Sequence, residues 1–450
     1  MQTLYHGLTL LPPSPVSDKA TVDLKIGVLP GPASAGRWDL RLYLDEVSLD
    51  GLLAQWEHDS CDGSPIAVTH VLHGYGRVGT HRVIAVVTPP DGEALRIEKP
   101  LEILECDTLS TGTIDGAFSG FYHWSEKEGR LWNTELAQMT EADWCHLLRT
   151  QHALGMSVVV PQEAFRNECY VGRHTLEKDG YNGSAYYPSR LVSGRMPITC
   201  PDPLETVLAC ADELGMQVFL PIGLYAWFDF TPASLAWHKE VTLELWERYG
   251  HHPSVYGFYV GEEICGDLGA NDARRDEIVA FFREYTPFAR SLAPDKPVML
   301  ASNCHNVAAG LKWYPRLLEN LDILCPFAFH RMPPEDQTGE EAAMMLQELC
   351  AKSACHLWMD LEAFFFHPDT ALYPCPLDHL TDNLERFTMF EKIICYQFPG
   401  LFNAPGSRLT PGGPATVVLF NEYQEFLATR HARDAKERSE AEARRQAPVS

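Results

Sequence analysis

LGMSVVVP at residues 154–161 returns as LGMQVFLP at residues 214–221. In each copy a glycine (Gly155, Gly215) ends a helical stretch by taking a left-handed conformation, an apolar run follows, and a proline (Pro161, Pro221) closes the run. A helix end followed at once by a strand buried on both faces is half of a βα unit. Two copies in the same register therefore predict a repeating parallel architecture.

Working outward from this pair, strand-like runs lie at 116–124, 156–163, 216–224, 255–263, 297–303, 322–330, 356–364 and 392–398, each followed by a helix-like stretch. Eight such units predict an α/β fold of the (β/α)8 TIM-barrel type. An open doubly wound sheet normally carries a glycine-rich phosphate turn after its first strand, and none is present. Helix starts are legible too: Thr140 with Asp143 predicts a capping box, and Asp202-Pro203 predicts an N-cap followed by proline in the first turn.

Upstream, residues 1–110 alternate polar and apolar positions in short stretches (21–28, 38–44, 81–87) between Gly and Pro turns, the pattern of an antiparallel sandwich. The run GTHRVIAVVTPPDGEALRIEKPLEIL resembles the closing hairpin of an immunoglobulin-like fold, read here as a structural prop before a sugar binder. The domain reading is thus a small Ig-like β-sandwich at 1–110, the catalytic barrel at 111–430 and a charged tail at 431–450. A long insertion after the second strand, residues 166–200, is expected to overhang the barrel mouth.

The chain has 36 Lys and Arg against 61 Asp and Glu, a net charge of −25. Such a surface repels phosphate backbones and anionic membranes, so neither nucleic acid nor membrane is an expected partner. The start of the chain has no basic segment leading into an apolar one, and no apolar run reaches the ~20 residues of a membrane span, which points to a cytoplasmic protein. Thirteen cysteines are an odd number scattered through apolar runs without zinc-ligand spacing. They read as reduced buried thiols, with no metal and no cofactor. Oligomeric state is left open, a homo-oligomer being compatible.

Active sites of such barrels lie at the C-terminal ends of the strands, where this sequence places Glu163, Glu262 and Glu263, Asn303 with His305, His330, Asp360 and Glu362, and Tyr396. In the seventh strand Leu357, Met359 and Leu361 form an apolar face for the helices, which turns Asp360 and Glu362 inward. In the fourth, Phe258 and Val260 do the same and turn Tyr259, Gly261 and Glu263 inward. Two inward carboxyls on nearly opposite strands suit glycosidic cleavage, one protonating the leaving oxygen while the other attacks the anomeric carbon. Trp124, Tyr225 and Trp227 follow strand ends, where flat rings can stack on a sugar.

A Glu ending the fourth strand with another ending the seventh is similar to clan A of the retaining glycoside hydrolases. The resemblance implies that Glu263 is the acid/base and Glu362 the nucleophile. Glu262 stands where clan members have an Asn that holds the sugar 2-hydroxyl. More closely, GAFSGFYHWSE, GLYAWFDF, YGHHPSVYGFYVGEEI and WMDLEAF resemble an uncharacterised bacterial family of glycosidase-like barrels, a domain of unknown function, over residues 115–425. The expected substrate is an oligosaccharide or glycoside, contacted by Glu163, Glu262, Trp124, Tyr225, Trp227, Tyr259, Asn303, His305, His330, Asp360 and Tyr396. Two other readings remain open. One is a divalent-metal-dependent sugar isomerase or lyase ligated by Glu163, Glu263, His305, Asp360 and Glu362; the other is a non-catalytic carbohydrate-binding protein.

Overall fold

Both repeat glycines do what the sequence requires of them: Gly155 and Gly215 take φ of 78° and 68°, and the strands that follow them enter one sheet side by side. Thr140 and Asp143 form the reciprocal capping box at the start of helix Glu141–Ala153. Asp202 caps helix Pro203–Leu214, accepting from the Glu205 amide.

The computed structural model describes residues 5–31, 35–60, 63–166, 183–223, 229–368 and 370–446. Its centre is a closed barrel of eight parallel strands, Gly116–Ser119, Val158–Pro161, Gln217–Ile222, Val255–Ile264, Val298–Asn303, Ile323–Phe327, His356–Glu362 and Lys392–Tyr396. The eighth strand pairs with the first and closes the ring. Helices Glu141–Ala153, Pro203–Leu214, Pro232–Tyr249, Asp272–Leu292, Tyr314–Leu318, Gly339–Cys350, Leu377–Arg386 and Pro414–Gln446 follow the strands in turn. Alternation along each strand separates two cores. Phe118, Val158, Val160, Phe219, Met299, Ile323, Trp358 and Ile394 fill the lumen, while Val159, Phe258, Val260, Leu357, Met359 and Leu361 pack outward under the helices.

The preceding strands form two facing sheets. One joins Tyr5–Leu11, Thr21–Leu29 and Ile66–His73; the other joins Val16–Ser17, Leu95–Leu104, Gly79–Thr88, Gly36–Leu44 and Leu52–Ser60. Leu24, Ile26, Trp38, Leu40, Leu42 and Val83 are fully buried between them. This sandwich sits beneath the barrel, at the N-terminal ends of its strands. Leu11 enters the luminal core, and Tyr256 donates its hydroxyl proton to the Leu10 carbonyl at 2.8 Å.

Gly7 and Gly27, opposite each other in register, leave room for Asp295: a Cβ on Gly7 would lie 2.4 Å from the Asp295 carboxylate, and one on Gly27 2.5 Å from its amide nitrogen. Tyr5 and Thr9 donate to that carboxylate at 2.5 and 2.7 Å. Lys25 and Arg290 pair with Asp322, and Lys392 pairs with Asp115 at 2.7 Å.

One expectation is corrected here. Cys145 and Cys210, read as reduced, form a disulfide with a Cα separation of 5.7 Å. They sit on neighbouring helices, Glu141–Ala153 and Pro203–Leu214, whose packing brings together residues 65 apart. A disulfide of this kind persists in oxidising surroundings, so cysteine usage does not argue for a reducing compartment. Cys106, Cys200, Cys265, Cys304, Cys325, Cys350, Cys355, Cys375 and Cys395 are free. Among the described residues no helix is long and apolar enough to cross a membrane.

Candidate active site

At the C-terminal ends of the strands the lumen opens into a cavity of about 280 Å³. Its polar lining is Glu263, Glu362, Asp360, Glu128, Arg331, His123, Gln162 and Tyr396, within a wall of Phe118, Trp124, Tyr259, Phe327, Phe364 and Phe366. Strand alternation produces the central pair: Tyr259, Gly261 and Glu263 point inward from the fourth strand, Asp360 and Glu362 from the seventh.

Electrostatics separate the two glutamates. Burial pushes Glu263 up to about 7, and the charge of Glu362 across the cavity pushes the same way. The charge of Arg331 and, less, a hydrogen bond with Asn303 work against that shift. Glu362 is also pushed up by burial, but Arg331 grips it from one side, Nε donating to the two carboxylate oxygens at 2.8 and 3.1 Å and a terminal nitrogen standing 2.7 Å from Oε1. His330 Nδ1 lies 3.2 Å from Glu362 Oε2. Burial pushes this imidazole down to about 4, so it is neutral at physiological pH. Asp360, below the pair, is pushed well above the carboxylate range by burial and by both glutamates. Its Oδ1 has no hydrogen-bond partner among the described residues.

Of the other expected residues, Trp124, Tyr259 and Tyr396 line the cavity. The Tyr396 hydroxyl donates to Gln162 Oε1 at 3.2 Å. Asn303 stands behind Glu263, its carbonyl oxygen also fixed by the amides of Gly266 and His305 at 3.1 Å. His305 and His330 flank Glu362 without lining the cavity.

Two expectations are corrected. Glu163 does not point into the lumen: Val158, Val160 and Gln162 take the inward positions of the second strand, and Glu163 turns behind it to accept from Tyr186 at 3.3 Å. Burial there pushes it up to about 8. Glu262 likewise faces outward, 3.5 Å from His238 Nε2 on helix Pro232–Tyr249, and cannot replace an inward Asn. Tyr225 and Trp227 lie outside the described residues. So do residues 167–182 of the long insertion; its residues 183–200 pack against helix Pro232–Tyr249 through Tyr187 and Glu244 and contribute nothing to the cavity lining. Among the described residues no three His, Cys, Asp or Glu side chains stand together as a metal site.

Arg331 and Glu128 were not foreseen, because both come from loops. Ala328 takes a left-handed φ of 73° directly after the sixth strand, and the turn it makes brings Arg331 back over Glu362. Gly129 is required where it stands, since a Cβ there would lie 2.3 Å from that of His123. The tight 3-10 turn it permits sets Glu128 at the mouth, where burial pushes its carboxyl up to about 7. That Arg331 directly follows the strand-like run 322–330 of the sequence was the available signal for the first; the second left none.

The family described as a domain of unknown function (DUF4434) matches residues 114–409. The chain belongs to that family. No curated protein matches it in sequence. Among solved structures, this DUF4434 protein is similar to a "putative alpha-L-fucosidase" of Bacteroides thetaiotaomicron, with a TM-score of 0.54 and 17% identity over 70% of this chain and 92% of that one. A β-glucuronidase of Parabacteroides merdae matches with a TM-score of 0.35 and 12% identity, over 88% of this chain and 48% of that one. The DUF4434 chain thus spans about half the length of that glucuronidase. At these identities the likeness concerns the fold.

Proposed function

We propose that this protein is a glycoside hydrolase working by a two-carboxylate, retaining mechanism, with Glu263 as acid/base and Glu362 as nucleophile. The observation that carries the reading is the pair itself: two carboxyls on the fourth and seventh strands line one cavity, and the Arg331 guanidinium hydrogen-bonds the second of them, Glu362. Glu263, near 7, keeps the proton that a leaving glycosidic oxygen needs. Glu362, gripped by a guanidinium that never loses its charge, is the member that carries the negative charge. Its attack on the anomeric carbon would give a glycosyl ester as the Glu263 proton passes to the departing oxygen; Glu263 then takes a proton from the water that cleaves the ester.

Trp124, Tyr259 and Tyr396 would pack on and orient the ring, with Gln162 and Asp360 taking hydroxyls. The fold-level likeness to a "putative alpha-L-fucosidase" supports the same reading. A divalent-metal reading has less support, because the described residues do not bring three of the five groups it would require together as ligands.

The test is Glu362→Ala on an aryl-glycoside panel. Turnover should vanish and return in part with azide, giving a glycosyl azide inverted at the anomeric carbon. Normal turnover in that variant would refute the assignment. In the wild type, kcat/KM should fall as pH rises through about 7, as Glu263 loses its proton.

A further inference from the structure

The cavity holds more acid than the proposed reaction uses. Glu263 and Glu362 are employed, and Glu128 and Asp360 are left over. Among the described residues Arg331 is the one Lys or Arg lining the space, and Glu362 already occupies it through both oxygens. His123, 3.8 Å from Glu128, is pushed by burial down to about 4 and carries no charge at neutral pH.

We propose that the glycoside taken by this cavity carries a protonated amino group, seated against Glu128 inside the aromatic wall, and that uronic acids are excluded. This rests on the glycosidase reading and specifies its substrate class.

Three observations point the same way. First, Glu128 is a lining carboxyl without a catalytic task and without a lysine or arginine bonded to it among the described residues, whereas a uronate would find the lining guanidinium already taken by Glu362. Second, Asp360, only 6% exposed at the cavity floor, keeps an oxygen without a protein partner. A ligand that donates hydrogen bonds would satisfy it. Third, Trp124 and Phe366 line the same cavity, and a cation is held better against aromatic faces than an anion.

The division of labour follows from the chemistry. Glu263 must keep its proton for the leaving oxygen, so it cannot also be the counter-ion of an amine. A separate carboxyl is needed, and Glu128 supplies one that bonds to no cation among the described residues. Its raised affinity for protons marks a carboxyl that an entering cation would draw into the ionised form.

The test measures binding by calorimetry at pH 7.5. The ligands are methyl glycosides of gluco, galacto, manno and fuco configuration, each compared with its amino-deoxy forms at C2, C3 or C4 (and C6 where hydroxylated) and with its uronic acid where one exists. At least one amine should bind about ten-fold or more tightly than its parent, the difference that a charge-assisted hydrogen bond supplies. In Glu128→Gln, and in Glu128→Asp as a second variant whose folding is followed by its melting temperature, that ratio should shrink towards one. No uronic acid should match its parent. Equal binding of amine and parent, or a uronic acid bound as well as either, in a protein that still turns over aryl glycosides, overturns the inference and leaves the glycosidase reading intact. Absence of both sugar binding and turnover in the wild type defeats that reading and this inference together.

Discussion

The two ends of one barrel treat buried charge in opposite ways. At the lower end, against the sandwich, acids and bases meet one another: Lys392 with Asp115, Lys25 and Arg290 with Asp322, His356 with Glu391. At Asp322 and His356 the partners prevail over burial, whereas burial still raises Asp115 beside Lys392. Lys25 and Arg290 hold Asp322 below the usual carboxylate range, and Glu391 and Asp23 raise His356 to about 10. At the upper end carboxyls crowd together around Arg331, the one guanidinium lining the cavity among the described residues, and burial prevails: Glu263 and Glu128 rise to about 7 and Asp360 well above its usual range. Like charges brought together in a hollow oppose folding, so an arrangement of this kind marks the end where stability has been given up for something else.

The contrast can be broken by mutation, and the largest expected effect is at the top. Glu263→Gln should lower kcat/KM on glycosides with poor leaving groups by about 10²–10⁴-fold, while the melting temperature at pH 8 stays level or rises because one buried acid is gone. A marked fall in melting temperature would make Glu263 a structural residue.

At the bottom the signs reverse. Lys392→Met leaves Asp115 buried without its cation and should lower the unfolding free energy by about 3–5 kcal/mol in a denaturant titration. Turnover per folded molecule should not change.

Leu11→Ala opens the luminal core from below, and about 2–4 kcal/mol of stability should be lost. If turnover fell with it, the two ends would be coupled.

The smallest effect sharpens the comparison between neighbours. Glu163 has its folded pKa raised to about 8 from 4.5. As pH rises between those values the unfolded chain loses this proton while the folded one keeps it, so the wild type weakens over that window. Glu163→Gln should remove the weakening, so that the variant gains on the wild type as pH rises from 4.5 towards 8 and is almost level with it at pH 4. Turnover should persist.

How far the sequence carried this reading depended on how each strand meets its surroundings. All eight strands were legible, because apolar runs between helix-ending and strand-ending residues leave few alternatives. Facing was legible where polar and apolar residues alternate: Leu357, Met359 and Leu361 gave away Asp360 and Glu362, and Phe258 with Val260 gave away Glu263. It was not legible in the second strand, where Val158, Val159 and Val160 are apolar on both faces, and Glu163 was assigned to the wrong side for that reason. Arg331 and Glu128 depend on the path of a loop, set by one left-handed alanine and one close glycine contact, and no periodicity encodes that. The Cys145–Cys210 bond is a product of helix packing and has no local spacing rule.

The glycine pair against Asp295 has a consequence beyond stability. With Gly7 and Gly27 closed directly onto that turn and Leu11 inserted from below, the sandwich is a foot packed against the barrel rather than a tethered neighbour. Whatever holds the foot therefore also aims the barrel, with its opening turned outward from the support.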